Sequence, residues 1–228
     1  MRFTYKIFLL FSMVFFSGSI SAQEYFRMSA DFTTKVKPAT GKAMLTKGEV
    51  YYDKYSKELI YDINFPDKER WIVQDSKIFK LKNDSISHTD EIPSMNEFTV
   101  FHLALNSNLT HFGLDDAKFA ISNIEKKGDM VVSYWNIPPQ VENMIETIAV
   151  AKKQNRLFSV VIAGQNNKIL GKQFFRDYIS IDGFEFPGTI IQIYFDENDQ
   201  QNYQVMEFKN IKLNDIENEK NYHYELEN

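Results

Sequence analysis

The sequence predicts a mainly β protein built on a strongly curved antiparallel sheet with one apolar face. Asp182-Gly183 lies between two β-rich runs in the stretch from Lys168 to Phe195. An Asp-Gly pair in this position indicates a two-residue hairpin, because a type I′ turn needs positive φ at both central residues. Apolar side chains change parity after Pro187-Gly188, and one extra residue there, a β-bulge, would bend the strand and return them to a single face. That shared face would contain Phe175, Ile179, Ile181, Phe184, Phe186, Ile191, Ile193 and Phe195.

Composition limits both the architecture and the chemistry. The 228 residues are 43% hydrophobic and 15% aromatic, which is enough for one large core, and no linker divides the chain. The net charge is -5 and the basic residues are scattered, which argues against a nucleic-acid partner. Cysteine is absent, so disulfides, thiol catalysis and thiolate zinc sites are excluded.

The first 22 residues have the pattern of a secretory signal peptide. Arg2 and Lys6 precede an apolar run from Ile7 to Phe16, and small residues follow up to Ala22. The run is too short and wrongly flanked for a transmembrane helix. We therefore expect cleavage between Ala22 and Gln23, and export of the mature chain.

Alternating hydrophobicity predicts that most of the mature chain forms strands. The stretch from Leu59 to Phe65 alternates in the manner of a half-buried strand and ends at Pro66-Asp67. We interpret Asn83 to Ile92 as a polar loop and Asn214 to Asn228 as a mobile, polar, acidic tail. Further strands are predicted at Tyr25 to Val36, Ala43 to Asp53, Arg70 to Gln74, Lys77 to Leu81, Lys118 to Glu125, Met130 to Ile137 and Tyr203 to Leu213.

One helix is predicted to begin at Ser94. Ser94 can cap the first free amides while Glu97 bonds back to its N–H, as in a capping box. Its apolar stripe includes Phe98 and Phe101, but Leu103 lies off the stripe, so the helix is apolar over much of its surface. Such a helix fits a lid over the apolar face of the sheet, and it fits a plainly buried helix equally well.

The segment from Val141 to Ala151 is ambiguous. Its apolar residues fit a helical spacing, and propensity favours a helix. The same residues precede a polar turn and the β-rich run from Leu157 to Ala163, which fits a hairpin.

The order of these elements resembles the LolA/LolB-type family of periplasmic outer-membrane lipoprotein carriers and sorting proteins. Gly48 to Phe65, the Phe65-Pro66-Asp67 strand end and Trp71 to Leu81 resemble its N-terminal half. The stretches IETIAVAKKQNRLFSVVIA, KQFFRDYISIDGFEFPGTI and VMEFKNIKLND resemble its C-terminal half. The likeness extends over residues 25 to 215 and rests on strands and turns rather than on a catalytic signature.

The resemblance implies an incomplete barrel of about eleven strands, with helices over its open concave side, in a half-barrel domain spanning residues 23 to 213. It also implies that Ile145 to Ala163 is a hairpin with its turn near Gln154-Asn155. Two departures bear on the family's specific lipoprotein hand-over. Only Gln23 to Met28 precede the first strand where the family has an amphipathic helix, and Lys54-Tyr55-Ser56-Lys57 lacks the Arg-Pro pair of the carriers.

No catalytic or metal signature accompanies this pattern. The four histidines lack acidic neighbours at metal-site spacing, and no nucleophile elbow, zinc-protease motif, P-loop or dinucleotide fingerprint occurs. We therefore predict neither an enzyme nor a cofactor.

Two functions fit this reasoning. The first is a monomeric periplasmic carrier that binds the acyl chains of a lipoprotein or lipid in a hydrophobic cavity, for transfer towards the outer membrane with the help of a membrane partner. The second is a non-catalytic envelope interaction protein on the same fold, because aromatic residues fill a core as readily as they line an acyl-chain cavity. The predicted cavity wall is Tyr61, Phe65, Trp71, Phe98, Phe101, Leu105, Phe119 and Trp135.

Overall fold

The structure of the protein is a computed structural model that describes residues 24–83, 85–91, 99–139, 145–196 and 198–225. The predicted signal peptide, the capping box at Ser94 and the cavity residue Phe98 lie outside the described residues. The described residues form thirteen β-strands and one α-helix, α1 (Val100–Leu105). The strands are β1 (Arg27–Lys37), β2 (Met44–Asp53), β3 (Leu59–Phe65), β4 (Glu69–Gln74), β5 (Lys77–Lys82), β6 (Ser85–Glu91), β7 (Ala120–Lys127), β8 (Met130–Asn136), β9 (Thr147–Lys153), β10 (Arg156–Ala163), β11 (Ile169–Ile181), β12 (Phe184–Phe195) and β13 (Gln201–Leu213).

All thirteen strands belong to one antiparallel sheet in the order β6-β5-β4-β3-β2-β1-β13-β12-β11-β10-β9-β8-β7. The first six strands form a meander, the last seven form another, and the pairing of β1 with β13 joins them. The strands β6 and β7 remain as the two edges, so the sheet is not closed into a barrel. The predicted fold class is therefore confirmed, with thirteen strands where the resemblance implied eleven.

Local turn chemistry accounts for the hairpins that the sequence predicts. Asp182 and Gly183 have φ angles of 49° and 85°, and they join β11 to β12 with Ile181 opposite Phe184. Gln154 and Asn155 also have positive φ and join β9 to β10, so the ambiguous segment from Thr147 onward is a hairpin. The predicted polar loop after Asn83 is wrong, because Ser85–Glu91 pairs with β5 as an edge strand.

The predicted bulge at Pro187-Gly188 is wrong. The pairing of β11 with β12 keeps one register from Gly171 opposite Tyr194 to Ile181 opposite Phe184. The irregularity is local instead: Asp177 has a left-handed backbone with φ 53°, and a Cβ atom at Gly188 would lie 2.6 Å from the Asp177 carbonyl oxygen. The apolar residues therefore do switch faces along β12, and no bulge in the strand returns Ile191 and Ile193 to the face of Phe184 and Phe186.

The main hydrophobic core lies on the concave side of the sheet, where strands from both meanders meet α1. Phe32 and Val50 come from the first meander, and Phe175, Phe186 and Phe208 from the second. Register shifts between Ser29 and Asp31, Lys47 and Gly48, Ile121 and Asn123, and Leu157 and Ser159 interrupt the ladders. Such bulges increase local twist and bend strands, which accounts for curvature without a bulge in β12.

The C-terminal tail packs against the outer, convex side of the first meander, contrary to the mobile tail that we expected. Tyr222 is 1% exposed and contacts Tyr51, with ring centroids 5.3 Å apart. It completes a second, smaller core with Ile60, Ile72 and Leu81. The tail therefore covers part of the outer face, between β2 and β5.

Candidate functional site

The helix α1 lies at the centre of the concave side. The side chain of Thr99 accepts a hydrogen bond from the His102 backbone N–H and caps the helix. Phe101 is 3% exposed, and its ring centroid lies 5.5 Å from the rings of Phe186 and Phe208. One aromatic side chain thus anchors the helix between strands of the second meander.

A polar contact joins the same helix to the first meander. The hydroxyl of Tyr52 and Nδ1 of His102 share a hydrogen bond of 2.7 Å beside the apolar core. Tyr52 is fully buried, and its ring also lies 6.2 Å from that of Phe101. A buried hydroxyl needs a partner of this kind, so the bond fixes the position of the helix as well as satisfying the group.

The segment that follows α1 continues the cover over the sheet. Leu109 and Leu114 are buried in the main core, and the ring of Phe112 lies 6.1 Å from that of Phe175. Phe112 has φ 55°, which turns the chain back across the sheet. The segment from α1 to Phe119 therefore forms a lid over the concave side, and we use that word for residues 99–119.

A cavity of about 420 Å³ opens between the middle of the lid, from Ala104 to Thr110, and the hairpin turns of the second meander. Its volume falls in the range of small-molecule pockets, roughly 300–1,000 Å³. Apolar side chains of Leu109, Leu157 and Phe184 line part of it, and the turns at Asn155 and Asp182-Gly183 border it. The cavity joins solvent to the edge of the main core.

The rim of this cavity is polar and well paired. Arg156 forms an ion pair with Glu185, and the Arg156 Nε donates to Glu185 Oε1 at 3.0 Å. That hydrogen bond and charge hold the pKa of Glu185 below its usual value. The Arg156 guanidinium also lies 5.4 Å from the centre of the Tyr178 ring, and the Tyr178 hydroxyl donates to the Leu157 carbonyl at 2.7 Å. Burial raises the pKa of Tyr178, so this hydroxyl is neutral and remains a donor.

The structure brings six of the eight predicted cavity residues to the main core. Phe101, Leu105 and Trp135 are buried in it. Tyr61, Trp71 and Phe119 are half-buried and pack against it. Whether these side chains contact a ligand remains a prediction.

Phe65 lies apart from this group. It is 45% exposed and belongs to neither core among the described residues. The register shift between Lys47 and Gly48 pairs Phe65 with Lys47 rather than continuing the inward alternation of Ile63. The extra residue in this register is Asn64, so a bulge within β3 itself removes Phe65 from the concave wall.

Sequence reasoning missed the polar groups of the site. Tyr52 and His102 are 50 residues apart in sequence, and no motif predicts their contact. Arg156 and Glu185 lie on two different hairpins and meet only because β10 and β11 are neighbours. Phe186, in contrast, belongs to the predicted apolar face. The alternation of apolar and polar residues after the Asp-Gly turn was sufficient to predict it.

The titratable side chains of the described residues occur mostly as single pairs. In the described ranges no cluster of three His, Asp or Glu side chains is placed to hold a metal ion. Three histidines contact single carboxylates: His88 with Asp90, His111 with Asp115, and His223 with Glu58. No helix within the described part of the chain is long and apolar enough to cross a membrane.

A comparison with protein-family models gives no match, and a comparison with curated proteins gives none either. Solved structures do match. A LolA superfamily protein from Nitrosomonas europaea superposes with a TM-score of 0.58 at 13% identity, covering 88% of this chain and 92% of that one. The fold is LolA-like.

Two further crystal structures agree with this LolA-like fold. A DUF1329 family protein from Desulfovibrio piger has a TM-score of 0.58 at 14% identity, over 84% of this chain and 87% of its own. A domain assigned as an outer-membrane lipoprotein-sorting protein from Vibrio parahaemolyticus has a TM-score of 0.57 at 11% identity, over 84% and 86%. The LolA-like fold was reached from sequence through strand order and turns, and the superpositions confirm it.

Proposed function

We propose that the protein is a periplasmic carrier that binds acyl chains of a lipoprotein or lipid between the concave face of the sheet and the lid. The observation behind the proposal is the packing of the lid on an apolar, aromatic concave face, beside a cavity that leads to solvent. Burial of an acyl chain stabilises a complex by about 0.8 kcal/mol per CH₂. A chain that enters the cavity would replace Phe101 and Leu105 against the sheet.

The lid is suited to such an exchange because its own helix is short. The helix α1 has six residues, and an isolated helix of that length is not stable in water. Its position therefore depends on tertiary packing and on the bond between Tyr52 and His102. An acyl chain that offers the sheet equal apolar contact can displace it at small net cost.

The fold supports a carrier, and the finer parts of the proposal follow from the sequence. Export depends on the predicted signal peptide, and transfer towards the outer membrane depends on the resemblance described above. The crystal structure from Vibrio parahaemolyticus with the same fold is assigned to lipoprotein sorting, which supports a lipoprotein or lipid as cargo. A membrane partner would accept the cargo when the lid opens.

A second candidate is a non-catalytic envelope interaction protein whose concave face is permanently filled. The nearly complete burial of Phe101 and Trp135, at 3% and 2% exposed, favours this alternative. The two proposals differ in whether the lid moves.

Binding of cis-parinaric acid to the delipidated mature protein separates the two. The carrier predicts saturable binding and a change in the fluorescence of Trp135. Phe101→Glu should weaken binding at least about tenfold, or 1.4 kcal/mol, because an unpaired charge would face the chain. Ile216→Glu places the same charge at a residue that is 71% exposed and should bind like the parent.

Because Phe101→Glu can disturb folding, circular dichroism and a Phe101→Leu variant complete the test. Phe101→Leu keeps the site apolar and should retain binding. Absence of saturable binding by the folded parent, or parental binding by a folded Phe101→Glu variant, would support the filled-core interaction protein instead.

A further inference from the structure

Two apolar rows lie on the outer face of the second meander. Ile190 is buried in the main core, so its neighbour Ile191 lies on the opposite, outer face of β12. Ile191 pairs with Phe174 on β11 and with Val205 on β13. Directly paired residues share a face, so the pairing extends this row across the sheet.

We call the two rows the outer stripe. Following the strand register from β8 to β13, the first row is Val132, Ala151, Ser159, Phe174, Ile191 and Val205. The second is Tyr134, Ala149, Val161, Lys172, Ile193 and Tyr203. The parity change after Pro187-Gly188 in the sequence is thus the start of this stripe.

An uncovered face of an antiparallel sheet normally alternates to polar residues. The lid lies on the concave side, and the tail from Asn214 to Glu225 covers the first meander, so neither layer covers the outer stripe. Tyr203 is 38% exposed and the Phe174 ring is half-buried. Val132, Ala151 and Ser159 are themselves buried, so the accessible part of the stripe lies on β11 to β13, where Phe174, Ile191 and Ile193 are half-buried. Exposed apolar patches mark interaction sites when they are large.

The charges along the stripe are mainly positive. Lys172 lies within it, and Arg176 and Lys37 border it through their positions on β11 and β1. Lys35 is paired with Glu207 at 2.9 Å. Within the described ranges, no ion pair involves Lys37, Lys172 or Arg176, although the whole chain has a net charge of -5. The local charge therefore favours an acidic partner.

The chain's own tail shows which chemistry this face accommodates. Tyr222 packs on the first meander, the Arg27 guanidinium lies 5.3 Å from its ring centre, and Arg27 also bonds Glu219 at 3.3 Å. The Tyr224 ring lies 6.0 Å from the guanidinium of Arg70 on β4. An acidic segment with tyrosine side chains is thus held on the outer face by apolar residues and arginines.

Shape distinguishes a peptide from a membrane. Six adjacent strands span about 24 Å at roughly 4.8 Å per strand spacing, and the stripe runs across them on the convex side of a curved sheet. A planar bilayer would touch only a few of these strands, whereas a peptide segment can follow the curvature, as the tail does across the first meander.

We propose that the outer stripe binds an extended acidic segment of a partner protein, with aromatic or aliphatic side chains that pack on Phe174, Ile191 and Ile193. Lys172 and Arg176 pair with its carboxylates. This surface is separate from the acyl-chain site, so the proposal does not depend on the carrier function.

Binding of a random copolymer of glutamate and tyrosine to the full mature protein tests the proposal. In the full protein, the C-terminal tail already covers the outer face of the first meander. The outer stripe is therefore the part of the outer face that remains for the copolymer. We expect saturable binding, and weaker binding of polyglutamate, which lacks the rings. Lys172→Glu/Arg176→Glu should weaken copolymer binding about tenfold.

Lys68→Glu/Lys82→Glu changes the net charge equally at residues outside the stripe and should bind the copolymer like the parent. An Ile193→Ser variant tests the apolar contact and should also bind more weakly. No copolymer binding, or an equal loss in both charge variants, would overturn the proposal. So would stripe-dependent binding to phosphatidylglycerol vesicles without copolymer binding, which would assign the surface to a membrane.

Discussion

Replacement of Tyr52 by phenylalanine tests whether a single polar contact controls the lid. The substitution removes the hydroxyl that shares a 2.7 Å hydrogen bond with His102 and leaves the buried ring in place. A bond of this type contributes about 0.5–1.5 kcal/mol net. If the bond forms only with the lid closed, its loss favours the open lid by the same amount, which is a factor of roughly 2 to 12.

The assay is stopped-flow displacement of cis-parinaric acid by excess palmitate, together with urea unfolding. We expect faster displacement by Tyr52→Phe, with a loss of unfolding free energy no larger than about 1.5 kcal/mol. Tyr51→Phe is the matched control, because Tyr51 lies on the outer face and its hydroxyl bonds Glu49. An unchanged displacement rate in Tyr52→Phe, with parental rates in the control, would refute the role of this bond in the lid.

Three further predictions concern stability and are checked by urea denaturation. Tyr222→Ala should cost about 3 kcal/mol by emptying the small outer core, whereas Tyr222→Phe keeps the ring and should stay near the parent; equal losses would show that the hydroxyl matters more than packing. The lowered pKa of Glu185 means that its pair with Arg156 stabilises the fold above the ordinary glutamate pKa of about 4.3, and that this part is lost as pH falls below it. Arg156→Met should lose that part of the acid dependence, and an unchanged pH profile would contradict it. Gly48→Ala places a Cβ 2.0 Å from the Asp62 carbonyl oxygen and should destabilise strongly, while Gly128→Ala meets open space and should cost only about 1–2 kcal/mol for its positive φ; similar losses would argue against this close approach.

The structural features that the sequence predicts correctly are those set by residues adjacent in the chain. The Asp182-Gly183 turn follows from the φ angles that its two residues tolerate, and both have positive φ. Prediction of the hairpin from Thr147 to Ala163 depended on the family resemblance, because the spacing of its apolar residues fits a helix as well as a strand. Edge strand β6 was missed because Ser85–Glu91 is largely polar and exposed, and only its pairing with β5 makes it a strand.

The wrong predictions for the bulge, the tail and Phe65 have a common cause. Each depends on tertiary packing or strand pairing, which the local sequence pattern does not show. The bulge after Phe186 was inferred on the assumption of one apolar face, and Ile191 instead belongs to a second one. The tail was expected to be mobile because its residues are polar, yet Tyr222 packs on Tyr51, and His223 forms an ion pair with Glu58. Phe65 left the concave wall because Asn64 is an extra residue in its own strand, and the alternation of the sequence does not reveal that bulge.

In the candidate site, too, the apolar residues were predictable from the sequence and the polar contacts were not. Phe101 and Leu105 follow from a helical stripe, and both are buried against the sheet. The partner of His102 is on β2, so the polar contact that holds the helix depends on the tertiary fold. The same applies to Arg156 and Glu185 at the cavity rim.

Mass spectrometry of lipid extracted from the protein, purified from its native compartment under non-denaturing conditions, tests the central claim most directly. The carrier account predicts that an acyl-bearing lipid or lipoprotein co-purifies with the parent and with Ile216→Glu, and is strongly reduced in a folded Phe101→Glu variant. Equal acyl content in the parent and in Phe101→Glu, at the level of an unrelated periplasmic control protein, would contradict it.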